Sequence, residues 1–179
     1  GAQDLPTGTE GQTLRNNAGT WESTSDLTVS SAGVVSAEGG LLSEGAGGGS
    51  FRAGPSAGVT SQGSFAVAIG QNAGNDTQSN FAVAVGQNAG QTTQGASGVS
   101  VGNQAGETTQ GTSAVAVGRQ AGETSQGANS VAIARQAGAT SQGANGIIIN
   151  SSGAALDDTT SGHIHIASDD GSLDFLTAS

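Results

Sequence analysis

A nine-residue phrase is repeated at a fixed interval through the middle of this chain. Its six copies begin at Ala66, Ala82, Gly98, Ala114, Ser130 and Gly146, sixteen residues apart, with no insertion or deletion. A period this short and this regular is typical of a solenoid, in which each repeat forms one coil that stacks on the next. The repeat therefore predicts a short rod that presents surfaces rather than a pocket.

Composition favours an all-β chain and disfavours several classes of partner. The 179 residues include 32 glycines, four Phe, one Trp and no Cys, which suits short strands and tight turns better than amphipathic helices. The formal charge is −10, and Lys and Arg together number only four. Because nucleic acids and anionic membranes bind clustered cations, neither is expected as a partner. The sequence has no stretch of about twenty apolar residues, so no membrane-spanning helix is expected.

The sequence predicts four segments. Residues 1–44 form a small non-repetitive β segment with a hairpin whose turn is at Asn16–Gly19. Residues 45–50 form a Gly-rich joint, residues 51–154 the roll of sixteen-residue repeats, and residues 155–179 a C-terminal β segment. Because the chain starts at Gly1 without an initiator Met, we expect a processed product or part of a longer protein.

The two faces of the repeated strand differ in side-chain size. One face carries the large apolar pairs Val67/Ile69, Val83/Val85, Val99/Val101, Val115/Val117, Val131/Ile133 and Ile147/Ile149. The positions between them, such as Ala66 and Ala68, are nearly all small and point to the opposite face. We interpret the strand as buried on both faces, with Val and Ile inside the coil and the small residues against another chain. The sequence leaves open which face is interior, and also that Ala and Ser are simply exposed.

Two more columns recur with the same period. A glycine follows the strand at Gly70, Gly86, Gly102 and Gly118, and Ala134 and Asn150 replace it later; this column is expected to turn the chain. A glutamine recurs without exception at Gln62, Gln78, Gln94, Gln110, Gln126 and Gln142. Stacked at about 4.8 Å per coil, these amides predict a hydrogen-bonded ladder, and ligand binding along the column is the alternative. Eight coils would rise roughly 38 Å.

The repeat resembles that of a known adhesin family. Ser130–Ile133 reads SVAI, and its sister copies continue with Gly-x-Gln-Ala-Gly and then Gln-Gly. This pattern resembles the head repeats of YadA-like trimeric autotransporter adhesins over residues 49–154. The resemblance implies a left-handed parallel β-roll with three chains intertwined around one axis. The period of that family is usually somewhat shorter than sixteen, so strands or turns must differ here.

A second resemblance lies near the N-terminus. Gly8–Leu14 reads GTEGQTL and Gly19–Glu22 reads GTWE, which resembles a segment common in bacteriophage tail fibres. Together the two resemblances imply a non-enzymatic homotrimeric fibre on a virion surface or tail, which attaches to a bacterial surface receptor, including a glycan. The alternatives are the head fragment of an extracellular bacterial surface adhesin and a purely structural filament or spacer.

Both histidines of the chain lie close together, at His163 and His165. A His-x-His pair on a strand directs both rings to one side, and counting sixteen residues from Ile147 and Ile149 places them in the Val/Ile columns. The pair resembles the His-x-His iron sites of trimeric phage fibre tips and membrane-piercing spikes. That resemblance implies six imidazoles and one iron ion, or another transition metal, per trimer. Exposed rings without a ligand, or rings that close the end of the coil interior, are the alternatives.

No catalytic site is expected. Ser161, His163 and Asp169 have the residue types of a catalytic triad, but residues this close on one strand do not readily converge. The Asp157–Asp158 and Asp169–Asp170 pairs lack the glycine-rich calcium-roll pattern, so they are expected to be solvated turn acids.

Polar side chains after each turn glycine are candidates for receptor contact. They are Gln71, Asn72, Gln87, Asn88, Arg119, Gln120, Arg135 and Gln136. Amides and guanidinium groups can hydrogen-bond to sugar hydroxyls, and a merely solvating role is the alternative. Phe65 and Phe81 could stack on a sugar ring, but their parity with Val67 and Val83 favours packing in the core.

Overall fold

A computed structural model of the chain describes residues 13–17, 20–24, 27–29, 35–37 and 48–168. Across those ranges the secondary structure is all β, with no helix, and therefore none that could span a membrane. The chain divides into two compact units, Gly1–Leu42 and Ser43–Ser179. The predicted joint at residues 45–50 lies partly outside the described residues and stays a prediction.

The described residues of the N-terminal unit form two antiparallel strand pairs. Strand β1 (Thr13–Asn17) pairs with β2 (Thr20–Thr24), which confirms the expected hairpin, although Asn16 and Asn17 belong to the strand rather than the turn. Strand β3 (Leu27–Val29) pairs with β4 (Val35–Ala37). Residues 8–12 and Gly19 of the fibre-like phrase lie outside the described part of the chain.

In the second unit, residues 48–168 form two parallel sheets whose strands alternate along the chain. The eight-stranded sheet contains β5 (Phe51–Ala53), β7 (Val67–Ile69), β9 (Val83–Val85), β11 (Val99–Val101), β13 (Val115–Val117), β15 (Val131–Ile133), β17 (Ile147–Asn150) and β19 (Ile164–Ala167). The seven-stranded sheet contains β6 (Ser61–Gln62), β8 (Thr77–Gln78), β10 (Thr93–Gln94), β12 (Thr109–Gln110), β14 (Ser125–Gln126), β16 (Ala137–Gln142) and β18 (Leu156–Asp158).

Strands within each sheet pair in strict sixteen-residue register over most of the unit. Val99 pairs with Val83 on one side and with Val115 on the other, and Gln94 pairs with Gln78 and Gln110. This register confirms the predicted all-β parallel solenoid, with about seven coils of sixteen residues. It also confirms that Phe51 belongs to a first coil, since Phe51 pairs with Val67.

The interior of the coil is lined by the small residues, which corrects the interpretation of the strand faces. Ala66, Ala68, Ala82, Ala84 and their equivalents in later coils have no exposed surface, whereas Val and Ile point outward. The interior is too narrow for branched side chains because glutamine amides already cross it. Among the described coils, the position of Ala68 and Ala84 carries a branched apolar side chain at Ile148, in the last regular coil. Ile148 belongs to the buried cluster against which Leu156 packs.

The glutamine column forms the predicted ladder. The Nε2 atom of each glutamine from Gln62 to Gln126 donates to the Oε1 atom of the next one, at 3.1–3.2 Å. The same Nε2 atoms also donate across the coil to main-chain carbonyls of the eight-stranded sheet, as Gln94 does to Val83 at 2.8 Å. The ladder therefore ties coil to coil and sheet to sheet with buried hydrogen bonds, which are costly to break.

The glycine column after the strands turns the chain as predicted. Gly70, Gly86, Gly102 and Gly118 have φ between 125° and 132°, a region essentially restricted to glycine. A Cβ at Gly102 would lie 2.6 Å from the Gly118 carbonyl oxygen of the next coil, so stacking also requires glycine. Ala134 takes the turn at φ 78°.

Asn150 does not replace the turn glycine as the column predicted. It is the last residue of β17, is 2% exposed, and donates from Nδ2 to the carbonyls of Arg135 and Ala154 at 2.9 and 2.6 Å. At this position the Asn150 side chain stabilises the turn through hydrogen bonds. In earlier coils the turn instead depends on a glycine that can adopt positive φ.

The last coil is longer than the others, which changes the register of β19. Gln142 still pairs with Asp158 sixteen residues on, but Ile147 pairs with Ile164, seventeen residues on. The extra residue therefore lies between Asp158 and Ile164. As a consequence Ile164 and Ile166, and not the histidines, continue the outward Val/Ile columns.

Candidate functional site

The outer face of the eight-stranded sheet is an apolar surface, called the apolar face below. Its two columns are Phe51, Val67, Val83, Val99, Val115, Val131, Ile147 and Ile164, and Ala53, Ile69, Val85, Val101, Val117, Ile133, Ile149 and Ile166. None of these positions is charged. Ile69, Val117 and Ile133 are 37–38% exposed and Ile164 is 70% exposed. The sixteen-residue register aligns these side chains in two straight rows.

Phe65 and Phe81 also lie on the outside, so the expectation that they pack in the core is wrong. The two residues are 61% and 58% exposed, and their rings stack on each other with centroids 5.5 Å apart and planes 9° apart. Both residues have positive φ, at 57° and 61°, in the turn that leads into the strand. The parity with Val67 and Val83 holds, but the face that these residues share is the outer face of the coil.

The outer face of the seven-stranded sheet is polar. Its two columns are Thr60, Asp76, Thr92, Thr108, Thr124 and Thr140, and Ser61, Thr77, Thr93, Thr109, Ser125 and Ser141. All are exposed except Ser141, which is half-buried. The two sheets of one coil thus present opposite chemistries to the outside, apolar on one side and hydroxyl-rich on the other.

The predicted receptor-facing residues divide into two columns with different surroundings. Gln71, Gln87, Arg119 and Arg135 are exposed, together with the partly exposed Asn103 that shares their column. Asn72, Asn88, Gln120 and Gln136 are half-buried. Asn72 donates to Asn88 and Asn88 to Glu107, each in the next coil, whereas Gln120 donates to Glu123 of its own coil, all at 3.1–3.2 Å. Receptor contact stays a prediction for both columns, and the first is the more accessible.

The histidine pair is part of a three-residue cluster at the C-terminal end of the solenoid. The Nδ1 atoms of His163 and His165 lie 3.2 and 3.8 Å from Oδ2 of Asp158. The Thr160 backbone N–H donates to Asp158 Oδ1 at 2.9 Å and holds the pKa of this carboxyl below its ordinary value. The two imidazoles therefore share one oriented carboxylate.

The parity expected for the histidines is wrong. His165 pairs with Ile148 in the sheet. The backbone N–H of Ile147 donates to the His163 carbonyl, and one coil earlier the N–H of Val131 donates in the same way to the Gly146 carbonyl, so His163 is equivalent to Gly146. The pair therefore continues the two interior columns of small residues, not the Val/Ile columns. Because the solenoid's described coils end here, the rings remain 60% and 44% exposed.

The cluster is not a closed coordination shell as it stands. Among the described residues no set of three His, Cys, Asp or Glu side chains is arranged to hold a metal ion, and no cavity is present. The edge of a coordination polyhedron is about 3.0–3.4 Å for metal–ligand bonds of about 2.1 Å. The His163–Asp158 separation of 3.2 Å lies within that range, and the His165–Asp158 separation of 3.8 Å exceeds it. Asp158 was missed as a partner of the histidines, although counting sixteen residues from Gln142 leads directly to it.

Comparisons with known proteins add no relatives. The chain matches no family model, no curated protein and no solved structure.

Proposed function

We propose that three copies of this chain associate through their apolar faces into a fibre. The apolar face is the observation that carries this proposal. Eight strands at about 4.8 Å make it about 35 Å long, and two columns of side chains make it about 12 Å wide, or roughly 400 Å² of uncharged surface. This is within the range of the largest apolar patch on a typical monomer, about 300–600 Å², and such patches are often functional.

A second copy is the partner that fits this face best. A partner that packs along the whole length must present side chains at the same interval of about 4.8 Å, and another copy of the face does so in every coil. The chain also carries ten net negative charges, but none lies on the face, so association there brings no like charges together. The trimeric number and the left-handed coil are taken from the resemblance to YadA-like heads.

The fibre is proposed to attach a virion to a bacterial surface, without catalysis. With the apolar faces turned toward the trimer axis, the polar sheet and the exposed column of Gln71, Gln87, Arg119 and Arg135 remain accessible on the outside. Amide and guanidinium groups at a regular spacing suit a repetitive surface glycan, because each can bond to sugar hydroxyls.

A cell-binding assay tests the attachment role. Labelled protein is expected to bind a subset of a panel of bacterial cells saturably, and the Gln87→Ala/Arg119→Ala double variant to bind at least about tenfold more weakly. Thr109→Ala, on the polar sheet, serves as the matched surface control. If a trimeric rod binds none of the panel or a glycan array, the attachment role is contradicted in favour of the spacer.

We also propose that His163, His165 and Asp158 bind one transition-metal ion per chain. Two imidazoles and one carboxylate are suitable ligands for iron, zinc or nickel. A small rotation of the exposed His165 ring would shorten the longer separation, 3.8 Å, to that of a ligand pair. Their place in the interior columns favours a site within each chain over six imidazoles shared around the axis.

Metal titration of the purified protein is expected to show one Zn²⁺ or Ni²⁺ per chain. Asp158→Asn should weaken binding about tenfold or more, and His163→Ala/His165→Ala should abolish it. Asp157→Asn is the control, because Asp157 instead accepts the backbone N–H groups of Thr140 and Ser141. Equal binding by the double histidine variant would refute the site, and one ion per three chains would support the shared axial site instead.

A further inference from the structure

The apolar face repeats itself so closely that it does not fix how neighbouring copies align along the rod. Moving one copy by a single coil, about 4.8 Å, places Val against Val or Ile throughout the middle of the face. Such a slip sacrifices contacts only at the two ends. Repetitive surfaces of this kind specify register weakly unless one position differs from the rest.

One column beside the apolar face breaks the repetition. The positions two residues before each strand carry Gly49, Phe65, Phe81, Ser97, Ser113, Asn129 and Asn145. Large apolar side chains occupy this column in two successive coils only, near the N-terminal end of the solenoid. The Phe65 ring lies against Gly49, where an added Cβ would be 3.0 Å from the ring. The Phe81 ring stacks on the Phe65 ring.

The exposure of these rings indicates a partner outside the coil. Each of the two residues is more than half exposed. Exposure of two adjacent phenylalanines to water is unfavourable for a free monomer. Unlike Tyr and Trp, which are common in hydrated binding sites, phenylalanine has no hydrogen-bonding group, so an apolar contact is the one that it suits. The column also adjoins Val67 and Val83, so it widens the apolar face at one end.

We propose that Phe65 and Phe81 of each copy contact the neighbouring copy and so fix the chains parallel and in register. This inference rests on the proposed association through the apolar face. Only the unshifted, parallel arrangement brings the aromatic pairs of the copies to the same level. A slip of one coil leaves one ring of each pair against Ser97 or Gly49 of its neighbour, and an antiparallel arrangement separates the pairs entirely.

Photo-crosslinking tests the register directly. A diazirine analogue of leucine placed at Val101, near the middle of the face, reacts with whatever lies against it, and mass spectrometry identifies the coil that was reached. In the otherwise natural chain, products within the same coil are expected to exceed those sixteen residues away by about tenfold. In Phe65→Ser/Phe81→Ser, which installs the residue found at Ser97 and Ser113, the ratio is expected to approach one.

The controls separate this inference from the proposed assembly. Val59→Ser removes an exposed apolar side chain (59% exposed) that precedes the polar sheet, and it should leave the product ratio unchanged. A trimer whose product ratio is the same with and without the two phenylalanines overturns the register role alone. A monomer in sedimentation, with no inter-chain product in any variant, overturns the association itself.

Discussion

Replacing Gln94 with glutamate is expected to destabilise the fold by about 3–5 kcal/mol at neutral pH. Gln94 has no exposed surface, and its Nε2 atom donates to the Val83 carbonyl and to Gln110 Oε1. A carboxylate cannot donate these bonds and would face the same two oxygens. Denaturation followed by circular dichroism, at one fixed protein concentration, measures the loss.

The penalty should also depend on pH in a defined direction. Burial raises the pKa of a glutamate above its unfolded value, so protonation restores part of the stability as pH falls toward about 4. Gln87→Glu makes the same chemical change on the exposed column, where Gln87 donates to Gln71 at 3.2 Å, and should cost less than about 0.5 kcal/mol. Equal losses at positions 87 and 94 would mean that the ladder does not support the fold.

Replacing Val101 with aspartate is expected to leave the fold intact and abolish assembly. Val101 is only partly buried within one chain, in the middle of the apolar face. In the proposed trimer three carboxylates would be brought together in an apolar environment without a partner. The association constant should therefore fall by more than about a thousandfold, which sedimentation velocity over a dilution series would detect.

Thr109→Asp provides the matched control for that change. It adds the same charge to an exposed position on the outer face of the seven-stranded sheet, and assembly should be unaffected. If both variants dissociate equally, net charge rather than the apolar face controls association. If neither dissociates, the copies meet through another surface.

The sixteen-residue period was sufficient to predict most of the coil. It placed the parallel strands, the turn glycines and the glutamine ladder, because each of these features depends on one residue type recurring at one position. Stacking identical coils turns such a recurrence into a straight column. The columns therefore carry structural information that a single copy of the phrase lacks.

The assignment of the strand faces failed for a physical reason. Burial of large apolar residues is the usual rule, so Val67 and Ile69 were placed inside the coil. The rule assumes that the interior is wide enough. Here the Gln78 side chain crosses the interior to the Val67 carbonyl at 2.8 Å, which leaves space for methyl groups only. The unbroken glutamine column was the signal that the interior is narrow and polar.

The histidine register failed because the last coil departs from the period. One extra residue precedes Ile164, and no repeated phrase remains there to reveal it. The polar column does continue, from Gln142 to Asp158. Following that column would have identified the carboxylate beside His163 and His165, and with it the interior orientation of the pair.

The mass of the protein in solution tests the central claim most directly. Sedimentation equilibrium at micromolar concentration is expected to give three times the chain mass of 17.0 kDa, with dissociation only on Val101→Asp substitution. A single species at 17.0 kDa, with the apolar face free in solution, would contradict the account.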